Sequence, residues 1–393
     1  MKRSIHCVLF SIVAATMPLT GCSNAAPTGG VDNTVFEAAG DGAAKFRVET
    51  VATGLEVPWA FAWLPNGDML LTERAGRVRI IEGGKLRPEP VYVVPDVEPS
   101  SESGLMDVTI DPGFADNSYV YIAYAYRQDG KQVKIVRYTY SGGKFTEPFN
   151  VIEMIPAAPN HAGTRARFGP DGKLYITTGD ATKWDLAQQM DSLAGKTLRI
   201  NADGTVPDDN PFVNQKGARP EIWSIGHRNA QGLDWQPGTG LMFQTEHGPS
   251  NFEGRGGGAD EVNIVEAGKD YGWPTIWGTR TRAGMEPPLL EYTPACAPAS
   301  GAFYNGDKFP EFKGNFFFGC LRGARIIRVV LDGRKVVRQE NLLEGNVGRV
   351  REVAEGPDGY LYFSTSNRDG RGRPDKEDDR IMRLVPETQN PEQ

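Results

Sequence analysis

Apolar and polar residues alternate along most of the chain in short stretches that turn-forming residues separate. In six places, two such stretches flank a turn that contains glycine, and in five of these the turn also contains proline. This strand–turn–strand pattern predicts β-hairpins. The six segments, of which the fifth is the most weakly marked, are 61–73, 108–124, 167–178, 233–246, 312–319 and 353–365.

The hairpins recur at an average spacing of about 60 residues, which is room for about four short strands with their loops. Units of that size are typical of propeller blades, and radial closure leaves few exposed sheet edges. No long segment has the 3.6-residue period of an amphipathic helix. We therefore predict an all-β fold, a six-bladed β-propeller that forms one domain over residues 46–386, with a short tail at 387–393.

The N-terminus has the features of an export signal. Lys2 and Arg3 precede a mostly apolar stretch, which ends in Leu-Thr-Gly-Cys at Cys22. This ending resembles a bacterial lipoprotein signal, which implies that residues 1–21 are removed and that Cys22 is acylated. Residues 22–45 are rich in small residues and predict a flexible tether. The expected location is the periplasmic side of the bacterial cell envelope, as an outer-membrane lipoprotein held to the membrane by its lipid.

Charge and cysteine content narrow the choice of ligands. Loss of residues 1–21 removes Lys2 and Arg3 and lowers the formal net charge from −7 to −9. Because a chain with this negative charge would be repelled by phosphates, we expect no nucleic-acid partner. Cys296 and Cys320 then remain as an even pair in an oxidising compartment, which favours a disulfide, with two buried thiols as the alternative.

Candidate chemistry begins with a histidine and an aspartate at the two ends of the third hairpin. His161 precedes its first strand and Asp180 follows its second strand, so the two side chains can meet at one edge of the sheet. A carboxylate that holds an imidazole in one tautomer is a common makeup of a general base. A lone histidine is more often structural, and the position of Asp180 is what favours the catalytic interpretation.

Three further segments carry donors and acceptors suited to a charged ligand. Arg228 and Asn229 stand side by side in a glycine-flanked loop, which suits a planar anion with carbonyl groups. The fourth hairpin ends in Glu-His-Gly-Pro, whose backbone carbonyls suit a hard cation such as calcium. Arg349 and Arg351 lie two residues apart and share one strand face, and Arg322 adds a third positive group.

Taken in order, these motifs resemble the soluble aldose (glucose/sorbosone) dehydrogenase family over residues 51–384. That family consists of six-bladed propellers that use pyrroloquinoline quinone (PQQ) with calcium. The resemblance therefore implies an oxidoreductase that converts aldose sugars to lactones and passes the electrons to a quinone or cytochrome that the sequence does not identify. The matching segments are 161–180, 193–201, 226–232, 245–249, 260–263 and 271–274.

The resemblance also implies a role for each matching residue. His161 would be the general base, Asp180 would orient it, and Arg228 would stabilise charge on the quinone oxygen. The other cofactor-binding residues would be Asn229, His247, Arg322, Arg349 and Arg351. The sugar would lie near Glu102 and Asp260. Carbonyls of Gly248 and Pro249 would bind the cofactor's calcium, and a second, structural calcium would bind at Glu261 and Tyr271.

Some residues depart from the family pattern. Thr164 stands where a second glycine is usual, Arg167 adds a charge to a strand that is usually apolar, and Arg322 replaces a familiar lysine. An insert at 250–259 lies beside the metal and sugar positions. Two alternative functions stay open: a calcium-dependent propeller hydrolase such as a lactonase, for which several arginines have no use, and a non-catalytic sugar-binding propeller.

Overall fold

The computed structural model describes residues 35–38 and 44–387, and its regular structure there is almost entirely β-strand. Most strands are short and contain β-branched or aromatic residues, which favour the extended backbone. β1 (Val35–Glu37) and β2 (Lys45–Ala52) come first in the chain. Blade 1 contains β3 (Pro58–Trp63), β4 (Met69–Glu73), β5 (Arg77–Glu82), β6 (Lys85–Leu86) and β7 (Tyr92–Val93). Blade 2 contains β8 (Leu105–Ile110), β9 (Tyr119–Arg127), β10 (Lys131–Ser141) and β11 (Lys144–Pro156).

The remaining blades follow the same order from the first, innermost strand outward. Blade 3 contains β12 (Gly163–Phe168), β13 (Leu174–Thr178), β14 (Lys196–Ile200) and β15 (Ile222–Ile225). Blade 4 contains β16 (Ala230–Trp235), β17 (Met242–Glu246), β18 (Asp260–Val265) and β19 (Leu290–Tyr292). Blade 5 contains β20 (Pro298–Phe303), β21 (Phe316–Cys320), β22 (Arg325–Asp332) and β23 (Lys335–Leu342). Blade 6 contains β24 (Val350–Glu355), β25 (Leu361–Thr365) and β26 (Ile381–Pro386).

Helical segments in the described residues are short. They are the helix α1 (Phe114–Asn117) and the 3₁₀ helices Trp184–Ala187, Asn251–Glu253 and Pro310–Phe312. In the same residues, no helix has the length and apolar character needed to cross a bilayer.

The six sheets close into a ring, which confirms the predicted six-bladed propeller. The first strand of each blade contacts the first strand of the next, and β24 of blade 6 contacts β3 of blade 1. Blade 6 is built from both ends of the chain, because β2 pairs antiparallel with β26 and β1 then pairs with β2. Since β1 lies at Val35–Glu37, the segment predicted as a tether, 22–45, overlaps the sheet at these residues.

An aspartate–tyrosine pair recurs in the hairpins and explains the repeated turn motif. The turn aspartate accepts a hydrogen bond from the tyrosine hydroxyl of the second strand, and an aromatic ring from the next blade packs edge-on against that tyrosine. The hydrogen-bonded pairs are Asp111–Tyr121, Asp171–Tyr175 and Asp358–Tyr362, at 2.9, 3.1 and 2.8 Å. The packing rings are Phe168, Trp235 and Trp63.

Buried ion pairs fill the central channel below the loops that carry the predicted site. Arg165 is 1% exposed and lies 2.8 Å from both Asp107 and Glu352. Arg167, the departure noted in the sequence, contacts the same two carboxylates at 2.8 and 3.0 Å. The four residues come from the first strands of blades 2, 3 and 6, so the extra charge of Arg167 is matched across the channel.

Replacing Asp107 with alanine is expected to lower the free energy of unfolding by about 3–5 kcal/mol, because it leaves two buried guanidinium groups short of a partner. Urea denaturation measures this change. Asp307→Ala is the matched control, since the Asp307 side chain is 93% exposed and its pair with Lys313 should contribute about 0–1 kcal/mol. Equal midpoints for the two variants would contradict the assignment.

Candidate active site

A cavity of about 500 Å³ opens on one face of the propeller. The loops around it precede the first strand of a blade or follow its second strand. Ten of the residues selected from the sequence line it, from blades 1 to 6. They are Glu102, His161, Arg228, His247, Gly248, Pro249, Asp260, Arg322, Arg349 and Arg351. Asp180, Asn229, Glu261 and Tyr271 do not line this cavity but lie directly behind residues that do.

The loop before β12 aims His161 into the cavity through an uncommon backbone conformation. His161 and Thr164 have φ values of 57° and 78°, in the left-handed region that non-glycine residues rarely adopt. At Thr164, glycine would enter this region at lower cost, which fits the glycine usual there in the family. Gly179 passes so close that a Cβ would lie 2.0 Å from the carbonyl oxygen of His161.

The predicted pairing of His161 with Asp180 is present, and a third residue supports it. Nδ1 of His161 lies 2.8 Å from Oδ1 of the fully buried Asp180. The indole Nε1 of Trp273 donates to the other oxygen, Oδ2, at 2.8 Å. Nε2 of His161 lies 2.9 Å from Nη2 of Arg228. Because a guanidinium can only donate, Nε2 accepts, so the proton is on Nδ1 and the lone pair faces the cavity.

Arg228 is 2% exposed and all three of its side-chain nitrogen atoms donate to protein acceptors. Besides His161, these acceptors are the carbonyl of His247, at 3.1 Å, the carboxylate of Glu253, at 2.7 Å, and the hydroxyl of Ser250, at 3.4 Å. The neighbouring Asn229 is turned inward. Its amide oxygen accepts from the backbone of Gly163, and its amide nitrogen donates to Glu102 at 3.2 Å.

The three predicted arginines face the cavity with different partners. Arg349 is paired with Asp369 at 2.7 Å, whereas Arg322 is exposed and, within the described residues, its side chain has no salt bridge or hydrogen bond. Arg351 is 3% exposed, lies over the ring of Trp59 at 5.3 Å and has no salt bridge in that part of the chain. Burial lowers the pKa of Arg351 to about 10, because desolvation disfavours the cation.

The acidic residues of the cavity are fixed by backbone donors. Asp260 accepts from the backbone N–H groups of Gly248 and Ala297, at 2.8 and 2.7 Å. Burial raises the pKa of Glu102, but the combined effect of His247, His161 and Arg371 holds it below its usual range. Glu102 is therefore a carboxylate at neutral pH.

The Glu246-His-Gly-Pro249 segment carries an unsatisfied polar atom. Nε2 of His247 is buried and has no hydrogen-bond partner among residues 35–38 and 44–387, and burial lowers the pKa of this ring. A Cβ on Gly248 would lie 2.1 Å from the carbonyl oxygen of Ala259, so only glycine fits there. The described residues contain no cluster of three or more His, Cys, Asp or Glu side chains suited to a metal, and a cation here would depend on backbone carbonyls.

Glu261 and Tyr271 line a second, small cavity behind this segment, together with Glu246. Burial, and then the charge of Glu246, raise the pKa of Glu261 to about 8. The hydroxyl of Tyr271 donates to the carbonyl of Ile264 at 2.6 Å and accepts from the backbone of Glu266. Two carboxylates that face one small cavity repel each other, and a bound cation would reduce this repulsion.

Cys296 and Cys320 are both buried and are free thiols in the structure, so the predicted disulfide is not formed there and stays a prediction. The two thiols are nevertheless close, because β20 and β21 pair Pro298 with Cys320. A hydrogen bond to Cys320, and burial, raise the pKa of the Cys296 thiol. Cys22 lies outside the described residues.

Comparison with known proteins places this site in a family. The family model for "Glucose / Sorbosone dehydrogenase" matches residues 55–382. The chain is similar to the aldose sugar dehydrogenase YliI of Escherichia coli, with 37% identity over 83% of this chain and 92% of that protein. It is also similar to the PQQ-bound aldose sugar dehydrogenase of Streptomyces coelicolor, with 35% identity, a TM-score of 0.77 and coverage of 88% and 99%. The apo form of the soluble aldose sugar dehydrogenase of E. coli is also similar, with 34% identity, a TM-score of 0.78 and coverage of 87% of this chain and 100% of that one.

The fold and the site thus define an oxidoreductase built on a six-bladed propeller. Within that class, the chain belongs to the glucose/sorbosone dehydrogenase family, as the motifs predicted.

The residues of the site that were not selected from the sequence include three that contact its charged groups. Trp273 stands in a quoted motif, but only the structure connects it with Asp180. Arg371 reaches the cavity from the loop between β25 and β26, and no local motif marks it. Glu253 lies in the insert, and a search for acidic residues near the arginine motif could have found it.

Proposed function

We propose that the protein oxidises aldose sugars at the hemiacetal carbon to lactones, with PQQ and calcium as cofactors. The observation that carries this proposal is the buried Arg351, which has no salt bridge among the described residues and lies in one cavity with the oriented lone pair of His161. A buried cation without a carboxylate calls for an anionic ligand. The PQQ-bound relative from S. coelicolor and the quinoprotein glucose dehydrogenase B of Acinetobacter calcoaceticus, 30% identical over 61% of this chain and 54% of that protein, support this choice of ligand.

PQQ, when bound, supplies the acceptor for the hydride that leaves the sugar carbon. His161 takes the hydroxyl proton at Nε2, in place of the hydrogen bond from Arg228. Asp180 keeps the imidazole in the tautomer with a proton on Nδ1 and stabilises the imidazolium that forms. Glu102 and Asp260, at the cavity wall, would accept hydrogen bonds from sugar hydroxyls.

The residues present fit this cofactor. Arg322, Arg349 and Arg351 would hold its carboxylates, since guanidinium groups match carboxylates in geometry and charge. Arg228 and Asn229 would contact the quinone carbonyls, and the unsatisfied Nε2 of His247 would face the ring system. Asn229 would have to exchange an internal hydrogen bond to do so.

Calcium fits two places. The carbonyls of Gly248 and Pro249 would bind the ion that polarises the quinone, although the Pro249 carbonyl now accepts from the backbone of Gly258 at 3.3 Å. Glu261 and Tyr271 would bind a second, structural ion. The raised pKa of Glu261 supports this second site, because a cation would replace the proton that the carboxylate otherwise retains.

We further propose that Cys22 carries a lipid and holds the propeller on the periplasmic side of the outer membrane. A membrane quinone or a cytochrome would then take up the electrons. Labelling with a radioactive fatty acid, compared with Cys22→Ser, tests the anchor, and unchanged labelling of that variant would refute it.

The first experiment on function is reconstitution of the apo-protein with PQQ and calcium, followed by dye reduction with a panel of aldoses. We expect sugar-dependent reduction that is lost when EDTA replaces calcium. Failure of PQQ to bind at micromolar concentration with calcium would overturn the proposal, and hydrolysis of lactones by the same preparation would favour the hydrolase instead.

Trp273→Phe is expected to lower kcat about tenfold while PQQ affinity stays unchanged. The variant keeps the ring but removes the donor to Asp180, and a hydrogen bond to a charged group is worth about 1.5–3 kcal/mol. Trp277→Phe is the control, since Trp277 belongs to the same aromatic cluster but does not contact Asp180. Equal kcat values for the two variants would exclude a positioning role for Trp273.

A further inference from the structure

The insert that departs from the family pattern forms a loop over the cavity, which we call the 250–258 loop. It begins with a 3₁₀ turn, Asn251–Glu253, and continues through four glycines between 254 and 258. Ser250, Asn251, Gly257 and Gly258 line the main cavity. The loop is thus part of the wall that any ligand must pass.

Glu253 places a carboxylate from this loop on the central arginine of the site. Its oxygens lie 2.7 Å from Nη2 and 3.3 Å from Nε of Arg228. The side chains of Glu253 and Arg228 are 2% and 3% exposed, so the pair is desolvated. A carboxylate that binds a buried guanidinium through two nitrogens of one edge occupies it as an anionic ligand would.

A second charged residue fixes the loop from its other side. The guanidinium of Arg255 lies among three tryptophan rings, with centroid distances of 4.7 Å to Trp184, 5.1 Å to Trp273 and 4.6 Å to Trp277. Its Nη1 donates to the carbonyl of Pro274 at 2.8 Å. These cation–π contacts hold the loop in the conformation that brings Glu253 to Arg228.

Glu253 occupies the Nε–Nη2 edge of Arg228, along which a guanidinium can pair with an anion through two hydrogen bonds. Nη2 also donates to His161 and, at 3.4 Å, to the hydroxyl of Ser250. Nη1 donates to the carbonyl of His247, and its second N–H has no acceptor among the described residues. Of these acceptors, the His247 carbonyl and His161 lie in the site itself, whereas Glu253 belongs to the glycine-rich loop between β17 and β18 and lies in no blade strand. An anion that pairs with Arg228 along the Nε–Nη2 edge would therefore displace Glu253.

We infer that Glu253 is an internal competitor for the cofactor, and that the 250–258 loop must release Arg228 before an anionic quinone can bind it. This inference rests on the proposed function. If the loop holds Arg228 in about nine of ten molecules, the apparent affinity for the cofactor is about tenfold weaker, because only molecules with the loop open can bind it. Loss of the Glu253 charge should therefore tighten binding.

The test is equilibrium binding of PQQ to the apo-protein with calcium and without sugar, followed by tryptophan fluorescence and by calorimetry. Glu253→Gln should bind PQQ about tenfold more tightly than the unaltered protein. Arg255→Ala, which keeps Glu253 but removes the anchor, should shift affinity in the same direction by about threefold. Glu266→Gln is the matched control, because Glu266 pairs with Arg334 at the surface, and it should bind as the unaltered protein does.

Equal or weaker PQQ affinity in Glu253→Gln would overturn the inference, since Glu253 would then support the site rather than compete for it. If Glu253→Gln does not fold, as judged by circular dichroism, the direction of the Arg255→Ala shift decides. If neither the unaltered protein nor any variant binds PQQ, the proposed function fails. The role of Glu253 is then tested by the rate at which phenylglyoxal modifies Arg228, mapped by mass spectrometry. Faster modification in Glu253→Gln supports a displaceable loop, and an equal rate overturns it.

Discussion

Replacing His161 with alanine is expected to lower the turnover of the PQQ-loaded protein by about 100-fold to 10,000-fold, the usual contribution of a positioned general base. Nε2 of His161 faces the cavity with its lone pair, and the Asp180 carboxylate lies 2.8 Å from Nδ1 on the opposite side of the ring. Dye reduction at a saturating concentration of the best aldose in the panel measures this loss. PQQ affinity should change little, because His161 contributes no charge opposite to the cofactor's carboxylates.

Two controls separate chemistry from folding in this experiment. The thermal midpoint and the PQQ dissociation constant of His161→Ala should match those of the unaltered protein within experimental error. A variant that binds PQQ normally and retains a tenth or more of the turnover would exclude His161 as the base. A loss of PQQ binding would mean instead that His161 is part of the cofactor site.

Replacing Arg351 with methionine should weaken PQQ binding by roughly 30-fold or more, while the apo-protein does not lose stability. The loss of affinity follows from removing one partner of a buried charge pair, about 2–5 kcal/mol. Burial lowers the pKa of Arg351 to about 10, so below that pH the fold carries a disfavoured cation. That shift corresponds to about 3 kcal/mol of destabilisation at neutral pH, which methionine removes while it fills similar space.

Calorimetric titration with PQQ and thermal unfolding of the apo form measure the two effects of Arg351→Met. Arg334→Met is the control, since the Arg334 side chain is 53% exposed in a surface pair with Glu266 and should alter neither quantity. PQQ affinity within threefold of the unaltered protein would contradict the role of Arg351. A large drop in the apo thermal midpoint would show that the arginine is structural.

The blades and their order could be predicted because the information is local. Alternation of apolar residues and the turn motifs define each hairpin within about twenty residues, and the recurring Asp–Tyr pairs show why the turn sequence is retained. The first hairpin of blade 3 likewise carries His161 before its first strand and Asp180 after its second, nineteen residues apart. Such neighbours in sequence stay neighbours in the fold.

Contacts between blades could not be predicted in the same way. Trp273 and Asp180 are 93 residues apart, and Arg167 and Glu352 are 185 residues apart. Which side chains meet across the ring depends on the rotation of each blade about the central channel, and no local pattern encodes that angle. The sequence therefore shows Arg167 only as an extra charge, whereas in the fold Asp107 and Glu352 from other blades neutralise it.

The sequence by itself determined the all-β repeat, the family and the principal polar residues of the cavity, because backbone propensity and loop motifs are properties of short segments. The closed ring of blades buries Arg351 with no salt bridge among the described residues, turns Asn229 inward and brings Glu253 to Arg228, and no local pattern predicted these three results. Burial and pairing depend on which distant segments exclude water from a group, and that is fixed when the ring closes.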